Sequence, residues 1–272
     1  MRYILLFIAI FTFSCKYNIT SPVGTIKDYS ANSGKLFYTS SNDNTNDIEM
    51  TLMKNKHSLG KYLIKVSPTN DKSTAILTNI KEVLNKNPHF NNVEIDLSLT
   101  EIPEIPKEMF TNTTNLGKIT LPDSVKKIEE KAFSGCSSLS YIRFSGSLTN
   151  IGESAFSNCS ALTVLLLPDG LKTIEKCAFS GCSSLVNLFL PKSLTKIDDD
   201  AFKNCSQLKN VEYSGTKDDC SKLNNCKPFS NNGATTKNLY LPGVEDSDKN
   251  NFNSFLCGNS SWTIHAKKHI PS

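Results

Sequence analysis

Apolar residues in the middle of the chain recur with a long, fixed period that neither a single helix nor a single strand would give. Five phenylalanines are each separated from the next by 23 residues: Phe110, Phe133, Phe156, Phe179 and Phe202. Isoleucines precede them and leucines follow them in the same phase: Ile105, Ile128, Ile151, Ile174 and Ile197, then Leu116, Leu139, Leu162, Leu185 and Leu208. A period between about 20 and 50 residues is typical of a solenoid, in which each unit buries its apolar face only against its neighbours.

Each repeat contains a short strand pattern and a returning segment. The pattern Leu-x-x-Ile-x-Leu alternates with a period of two, which predicts a strand with one buried side. Pro or Ser ends this strand, and an Ile-x-x-x-Ala-Phe segment then crosses the other side. We therefore predict an α/β repeat fold with five units over residues 100–214, stacked roughly 4.8 Å apart, with a parallel sheet on one face.

The segment before the repeats, residues 56–99, has the pattern of a strand, a helix and a second strand. Residues 59–66 alternate, residues 71–87 place apolar side chains at three- and four-residue spacings, and residues 93–97 alternate again. Pro88 would stop the helix. A unit of this kind would cover the open edge of the first repeat, so we predict an N-terminal cap.

The repeat loses its regularity beyond the fifth unit. Residues 239–241 and 262–264 still have strand patterns, but irregular sequence separates them. Solenoids end in atypical units that present a polar outer surface. We therefore predict a degenerate C-terminal cap over residues 215–272.

The N-terminus has the features of an export signal. Arg2 and an apolar run from Ile4 to Phe13 predict a signal peptide over residues 1–14, and the run is too short to span a bilayer. Ser14-Cys15 resembles a bacterial lipobox, which implies that Cys15 carries lipid and tethers the protein to a membrane. The alternative is an ordinary secretory signal that is cleaved nearby. Residues 15–55 are rich in Ser, Asn, Asp and Thr, which predicts a flexible spacer.

The repeats resemble a known bacterial family. The run from Leu167 to Leu185 reads LPDGLKTIEKCAFSGCSSL. It is similar to the leucine-rich repeats of the BspA-like, or Treponema pallidum type, family, whose pattern is Leu-Pro, Leu-x-x-Ile and then Ala-Phe-x-x-Cys-x-x-Leu. The first unit departs from it, with Met109 for Ala and Thr113 for Cys. The resemblance implies a curved right-handed stack in bacterial surface proteins, often lipoproteins, that are associated with adhesion to host matrix proteins or cells. Together with the N-terminus it leads us to expect a cell-surface or outer-membrane lipoprotein of a bacterium such as a spirochaete.

Four of the nine cysteines occupy one repeat column: Cys136, Cys159, Cys182 and Cys205. Residues of one column point the same way into the core, where a thiol acts as a small apolar group and a weak donor to backbone carbonyls. Parallel side chains rarely offer the geometry of a disulfide. We therefore expect a reduced ladder.

Apart from Cys15, the cysteines outside this column are Cys177, Cys220, Cys226 and Cys257. Cys177 occupies a variable repeat position and is predicted to be a free thiol. One disulfide in the C-terminal cap would stabilise a region with little core. Cys220 with Cys226 is the pairing we expect, although Cys257 lies in the same cap and the sequence leaves the pairing open.

Several functional classes lack support in the sequence. The net charge of +4 is spread over 272 residues without basic runs, which argues against nucleic acid as a partner. His265 and His269 lack an acidic residue at metal-ligand spacing. Phosphate-binding loops and nucleophile motifs are missing from the sequence as well. We therefore expect no enzyme activity, cofactor, metal or small-molecule substrate.

The strand pattern leaves a set of outward-facing residues that could bind a partner. Three large apolar side chains, Val164, Leu166 and Phe189, are expected on neighbouring strands beside Tyr141 and Arg143. An exposed apolar cluster with an aromatic residue and an arginine is typical of protein-binding surfaces. The predicted partner-binding set is Tyr141, Arg143, Val164, Leu166, Asn187, Phe189 and Glu212. The alternative is that these residues serve strand propensity alone or are covered by the N-terminal cap.

Two functions fit these observations. The first is an exported, lipid-anchored protein that binds a protein partner, such as a host matrix or cell-surface protein, through the outward face of its sheet. The second is a periplasm-facing lipoprotein whose repeats assemble with other envelope components without host contact. The sequence names neither the ligand nor the membrane leaflet nor the oligomeric state.

Overall fold

A computed structural model gives the fold of most of the repeat region and its N-terminal flank. The residues it describes are 34–70, 74–216, 218–219, 223, 227–230, 232, 237–242, 244 and 262–266. The predicted signal peptide, the predicted lipidated Cys15 and the first part of the predicted spacer lie outside the described residues. Cys220, Cys226, Cys257 and His269 lie outside them as well.

Two helices and fourteen strands follow one another in the described part of the chain. The N-terminal elements are α1 (Thr45–Leu59), β1 (Leu63–Lys65), α2 (Ala75–Lys86) and β2 (Val93–Asp96). The main strands of the successive repeats are β4 (Leu116–Thr120), β6 (Tyr141–Arg143), β8 (Val164–Leu166), β10 (Asn187–Leu190), β12 (Asn210–Tyr213), β13 (Lys237–Tyr240) and β14 (Trp262–His265). Two-residue strands alternate with them: β3 (Glu104–Ile105), β5 (Lys127–Ile128), β7 (Asn150–Ile151), β9 (Thr173–Ile174) and β11 (Lys196–Ile197).

Every strand pair is parallel, and the register within the repeats follows the 23-residue period, as in Ile119 beside Ile142. We call β3-β5-β7-β9-β11 the back sheet. The main strands form the front sheet, which is divided into two parts, β1-β2-β4-β6 and β8-β10-β12-β13-β14. This arrangement confirms the predicted leucine-rich repeat solenoid. Two features were not predicted: short strands also form the back sheet, and the front sheet is broken between β6 and β8.

The N-terminal flank contains more structure than the sequence predicted. The predicted strand, helix and strand are present as β1, α2 and β2, and β2 pairs with β4 of the first repeat. However, the prediction of a flexible spacer up to residue 55 is wrong from Thr45 onwards, because α1 begins there. Asn44 caps this helix by accepting hydrogen bonds from the N–H groups of Asn46 and Asp47, and Gly60, with φ 73°, ends it.

The helix α1 was missed because little of its surface is apolar. Ile48 and Leu52, four residues apart, are fully buried, whereas most of the other side chains are polar. A buried amide, Asn55, then fixes the preceding segment. Its Nδ2 donates to the carbonyls of Phe37 at 2.9 Å and Leu63 at 2.8 Å, and its Oδ1 accepts from the N–H of Phe37 at 2.9 Å.

The repeat phenylalanines form a continuous stack inside the solenoid. From Phe110 to Phe202 the ring centroids of successive members are 5.4, 5.0, 5.1 and 5.3 Å apart, and all five side chains are fully buried. Phe229 extends the stack at 5.4 Å from Phe202, and Trp262 lies 5.3 Å beyond it. The predicted C-terminal strands therefore continue the same core, although the sequence period is lost.

The column of cysteines lies beside this stack and its thiols are free. Each Sγ–H donates to a phenylalanine carbonyl of the preceding repeat, from Cys136 to Phe110 at 3.0 Å and in the same way along the column at 3.2 to 3.3 Å. The expected contacts between thiols and backbone carbonyls are thus confirmed. Burial raises the pKa of the Cys136 thiol to about 12. Cys177 is also free, half-buried and in a left-handed backbone conformation with φ 56°.

Another repeat column also has a left-handed backbone conformation, and its residue types follow a regular pattern. It alternates between asparagine and glycine: Asn112, Gly135, Asn158, Gly181 and Asn204, with φ from 58° to 77°. A Cβ atom on Gly135 would lie 2.2 Å from Oδ1 of Asn112, and one on Gly181 would lie 2.4 Å from Oδ1 of Asn158. Each asparagine side chain therefore occupies the space above the next glycine.

Gly135→Ala should lower the free energy of unfolding by about 2 kcal/mol, because a Cβ there is strained at positive φ and collides with Asn112. In an Asn112→Gly background the same change should cost about 1 kcal/mol less, since the collision is gone. Denaturant unfolding of the parent, the two single variants and the double variant measures this coupling. Additive effects would show that the contact with Asn112 is not what excludes a side chain at position 135.

The thiols of the cysteine column should react with iodoacetamide far more slowly than Cys177 in the folded protein at pH 8. Alkylation needs a thiolate, and burial keeps the thiol of Cys136 protonated up to a pKa of about 12. Because this folded-state pKa is raised, the stabilisation from the protonated thiol is complete below about pH 8.5 and declines as the pH rises towards 12. Peptide mapping by mass spectrometry measures both sites, and equal labelling at pH 8 would contradict the buried assignment.

Candidate functional site

The front face presents a cluster of exposed apolar side chains at the break in the sheet. Tyr141 on β6 is 53% exposed, and Val164 and Leu166 on β8 are 50% and 70% exposed. We call these three residues the central patch. Among the described residues only six large apolar side chains are classed as exposed, and half of them lie on these two strands. The predicted outward orientation of these three residues is therefore observed.

The other residues of the predicted binding set differ in their accessibility. Arg143 is exposed, and its Nη2 lies 3.4 Å from Oδ1 of Asp123. Asn187 and Phe189, on the neighbouring strand β10, are half-buried. Glu212 is only 5% exposed, so the expectation that it faces solvent is wrong. The register places it between Phe189 and Tyr240, and these larger neighbours account for its burial.

An ionic ladder crosses the front face on the N-terminal side of the central patch. Glu94 on β2 accepts hydrogen bonds from Lys61 and from Lys118, the latter at 3.0 Å. Lys65 binds Asp96 at 2.6 Å. Burial would raise the pKa of the Glu94 carboxyl, but the hydrogen bonds from Lys61 and Lys118 outweigh it and hold that pKa below its usual value.

The charged side chains of this ladder line a shallow groove of about 310 Å³ that reaches the central patch at Tyr141. Since the lysines are about half exposed, these ion pairs contribute little to stability. They instead give this half of the face a polar surface with cations at its rim.

A ladder of amides crosses the face on the other side of the central patch. Nδ2 of Asn210 donates to Oδ1 of Asn187 at 2.8 Å, and Nδ2 of Asn238 donates to Oδ1 of Asn210 at 3.0 Å. Nε2 of His265 lies 3.1 Å from Oδ1 of Asn238. All the donors thus point the same way, towards β8, and hydrogen-bonded chains of this kind polarise one another.

The amide ladder ends beside the central patch. The next position of its column is Val164, whose side chain cannot accept a hydrogen bond, and the structure shows Asn187 only as an acceptor. Nδ2 of Asn187 therefore offers a polarised donor next to exposed apolar groups, a combination that suits the carbonyl of a bound polypeptide. This ladder was not predicted, although the 23-residue spacing of Asn187 and Asn210 on one strand position could have indicated it.

No group of three or more His, Cys, Asp or Glu side chains is placed to hold a metal ion within the described residues. Neither described helix is long and apolar enough to cross a membrane.

The comparisons with known proteins agree with this architecture. The model of the BspA type leucine rich repeat region matches six copies over residues 103–232, just under half of the chain. No curated protein matches the chain. Leucine-rich repeat solenoids of this type are bacterial surface proteins and typically serve as non-enzymatic scaffolds for protein interaction.

Three solved structures illustrate the similarity. The T. pallidum leucine rich repeat protein is 27% identical over 54% of this chain and 72% of its own, with a TM-score of 0.43. A leucine rich cell surface protein from Faecalibacterium prausnitzii is 31% identical over 53% of this chain and 36% of its own, with a TM-score of 0.47. The pneumococcal vaccine antigen PcpA is 22% identical over 66% of this chain and 42% of its own, with a TM-score of 0.52, which supports the fold alone.

This chain therefore spans less than half of the length of the last two structures. The repeat signature, the register of the strands and the family match all concern the same part of the molecule. Through residues 103–232, this protein carries leucine-rich repeats of the BspA type.

Proposed function

We propose that this protein is an exported, membrane-tethered and non-enzymatic binding protein that recognises a protein partner through the front face of its repeats. The observation that carries this proposal is the central patch, three exposed apolar side chains on adjacent repeats of a well-packed solenoid. Large exposed apolar groups on neighbouring strands are costly in water unless a partner covers them.

The flanks of the patch add specificity to this surface. The ionic ladder offers lysines on one side, and the amide ladder offers a hydrogen-bond donor on the other. Polar groups around an apolar centre are the usual arrangement of a protein interface. We infer that the partner is a host matrix or cell-surface protein, in line with the surface location of proteins that carry these repeats. Glu212 is not part of the proposed contact surface because it is buried.

Tethering is the second part of the proposal and rests on the N-terminal sequence. A signal peptide followed by lipidated Cys15 would place the repeats outside the inner membrane and hold them at its surface or at the outer membrane. The proposed anchor is the acyl chains on Cys15.

Replacing both Val164 and Leu166 with Thr should weaken binding to a partner at least tenfold and leave the free energy of unfolding within about 0.5 kcal/mol, because both side chains are exposed. The measurement is surface plasmon resonance of the full chain, purified in detergent, on a panel of immobilised extracellular matrix proteins. Leu99→Thr is the matched control, since Leu99 is exposed and apolar but lies outside the patch.

In contrast, Phe156→Ala should lower the free energy of unfolding by about 3 to 5 kcal/mol, because it leaves a cavity in the stack.

Unchanged affinity in the double variant would remove the central patch from the binding surface. If no member of the panel binds the parent protein, adhesion to host matrix is contradicted.

Cys15→Ser should abolish incorporation of labelled palmitate and release the protein from the membrane fraction, because the thiol is the proposed site of acylation. Metabolic labelling followed by cell fractionation measures both effects. Absence of label in the parent protein would favour the ordinary secretory signal instead. Surface exposure is then measured by adding protease to intact cells, and full protection would favour the periplasm-facing alternative.

A further inference from the structure

The break in the front sheet separates two consecutive repeats. β6 and β8 belong to neighbouring repeats, yet no backbone hydrogen bond joins them among the described pairs. Most Cα–Cα separations between these two strands exceed 8 Å, whereas neighbouring strands in a sheet lie about 4.8 Å apart. The two strands are therefore farther apart than paired neighbours.

The two repeats remain in contact everywhere around this opening. Before the strands, Oγ of Ser160 lies 3.3 Å from the carbonyl oxygen of Ser137. After the strands, the N–H of Lys172 donates to the carbonyl of Thr149 at 2.9 Å. In the core, the rings of Phe133 and Phe156 are 5.0 Å apart. The opening is thus confined to the strands of the front face.

Phe144 lies at this opening, and we infer that its size holds the two strands apart. It occupies a column that holds leucine in the repeats on either side, Leu121 and Leu167. Its buried ring packs edge-on against Phe156 of the following repeat, with the centroids 5.8 Å apart. This larger side chain thus reaches the following repeat at the opening. In agreement, Ile142 is only partly buried, whereas its counterparts in the neighbouring repeats are buried.

The opening leaves two strand edges facing each other. On its other side, β8 is bonded to β10, as in the hydrogen bond from the N–H of Asn187 to the carbonyl of Thr163. Because successive residues of a parallel strand bond to opposite sides, the N–H and C=O groups of Val164 and Leu166 point towards β6. These are the residues whose side chains form most of the central patch. Backbone donors and exposed apolar groups thus coincide on one strand edge.

We propose that the partner binds by adding an extended segment as a strand along the β8 edge, inside the opening between β6 and β8. Only a polypeptide backbone in extended conformation supplies alternating donors and acceptors at the spacing of this edge. The proposal rests on the proposed function, since it names the chemistry of the partner that the central patch binds.

The surroundings define the sequence of that segment. Alternate side chains would lie beside the central patch and should be apolar, and the side chains between them would face the core and should be small. Proline is excluded from the paired positions because it lacks a donor. Arg143 at the β6 edge and Lys118 on the next strand favour an acidic residue beside them. The expected partner segment is therefore a short, proline-free stretch with alternating apolar residues and an acidic residue.

The test begins with a displayed library of random twelve-residue peptides selected on the full chain in detergent. Selected peptides should alternate large apolar residues with small residues. N-methylation of single backbone amides should weaken binding at least tenfold at every second position and much less at the positions between. In hydrogen-exchange measurements, the amides of Val164 and Leu166 should be protected at least tenfold when the peptide is bound.

Phe144→Leu provides the matched variant, because it restores the leucine of the neighbouring repeats and should let β6 and β8 pair. The amides of Val164 and Leu166 should then be protected without peptide, and peptide affinity should fall at least tenfold although the apolar side chains remain. Leu167→Met, one repeat further along the same column, should leave affinity unchanged.

Three results would overturn strand addition: no selected peptide, N-methylation effects without alternation, or full affinity in a Phe144→Leu protein whose amides are protected. The proposed function is judged separately by the matrix-protein panel and the Val164 and Leu166 variants. A matrix protein of the panel could need Leu166 for binding and still bind the Phe144→Leu variant with its β6 and β8 strands paired. That result would leave the proposed function standing and would remove only the added strand.

Discussion

The structure depends on the stacking of equivalent side chains in successive repeats. Each repeat is too small to bury its own apolar face, so its interior is completed only by the repeats before and after it. The phenylalanine stack shows how strict this requirement is, since ring separations vary only between 5.0 and 5.4 Å from Phe110 to Phe202. The fixed period of the sequence from Phe110 to Phe202 keeps each ring in the stack, and Phe229, 27 residues after Phe202, still joins it.

The same constraint explains why a local change can reshape the front face without disturbing the rest. Phe144 alters one interface between repeats, and the hydrogen bonds of the back sheet and the packing of the phenylalanines continue across it. In the close-packed core of a compact globular protein, such a substitution would displace neighbouring side chains on all sides. In a linear array the strain is taken up by two strands, which leaves exposed apolar side chains and unpaired backbone groups in one place.

Much of the fold could be predicted from the sequence because the positions that hold apolar residues in every repeat are the buried positions of the structure. The missed features depend on side-chain size and local hydrogen bonds. Helix α1 buries only a narrow apolar stripe, and its start is fixed by the polar cap Asn44. The break in the sheet was missed because Phe144 fits an apolar column by type and departs from it only by volume. The burial of Glu212 depends on the large residues beside it, which alternation does not show.

The alternation of asparagine and glycine in the left-handed column makes two repeats, rather than one, the natural increment of the array. Losing a repeat that carries the glycine would bring two asparagines together, with the Cβ of one against the Oδ1 of the other, and losing one that carries the asparagine would bring two glycines together. Gain or loss of repeats in pairs would keep every asparagine above a glycine. Recombination between related genes should therefore favour arrays that differ by an even number of repeats, because each asparagine side chain needs a glycine in the next repeat.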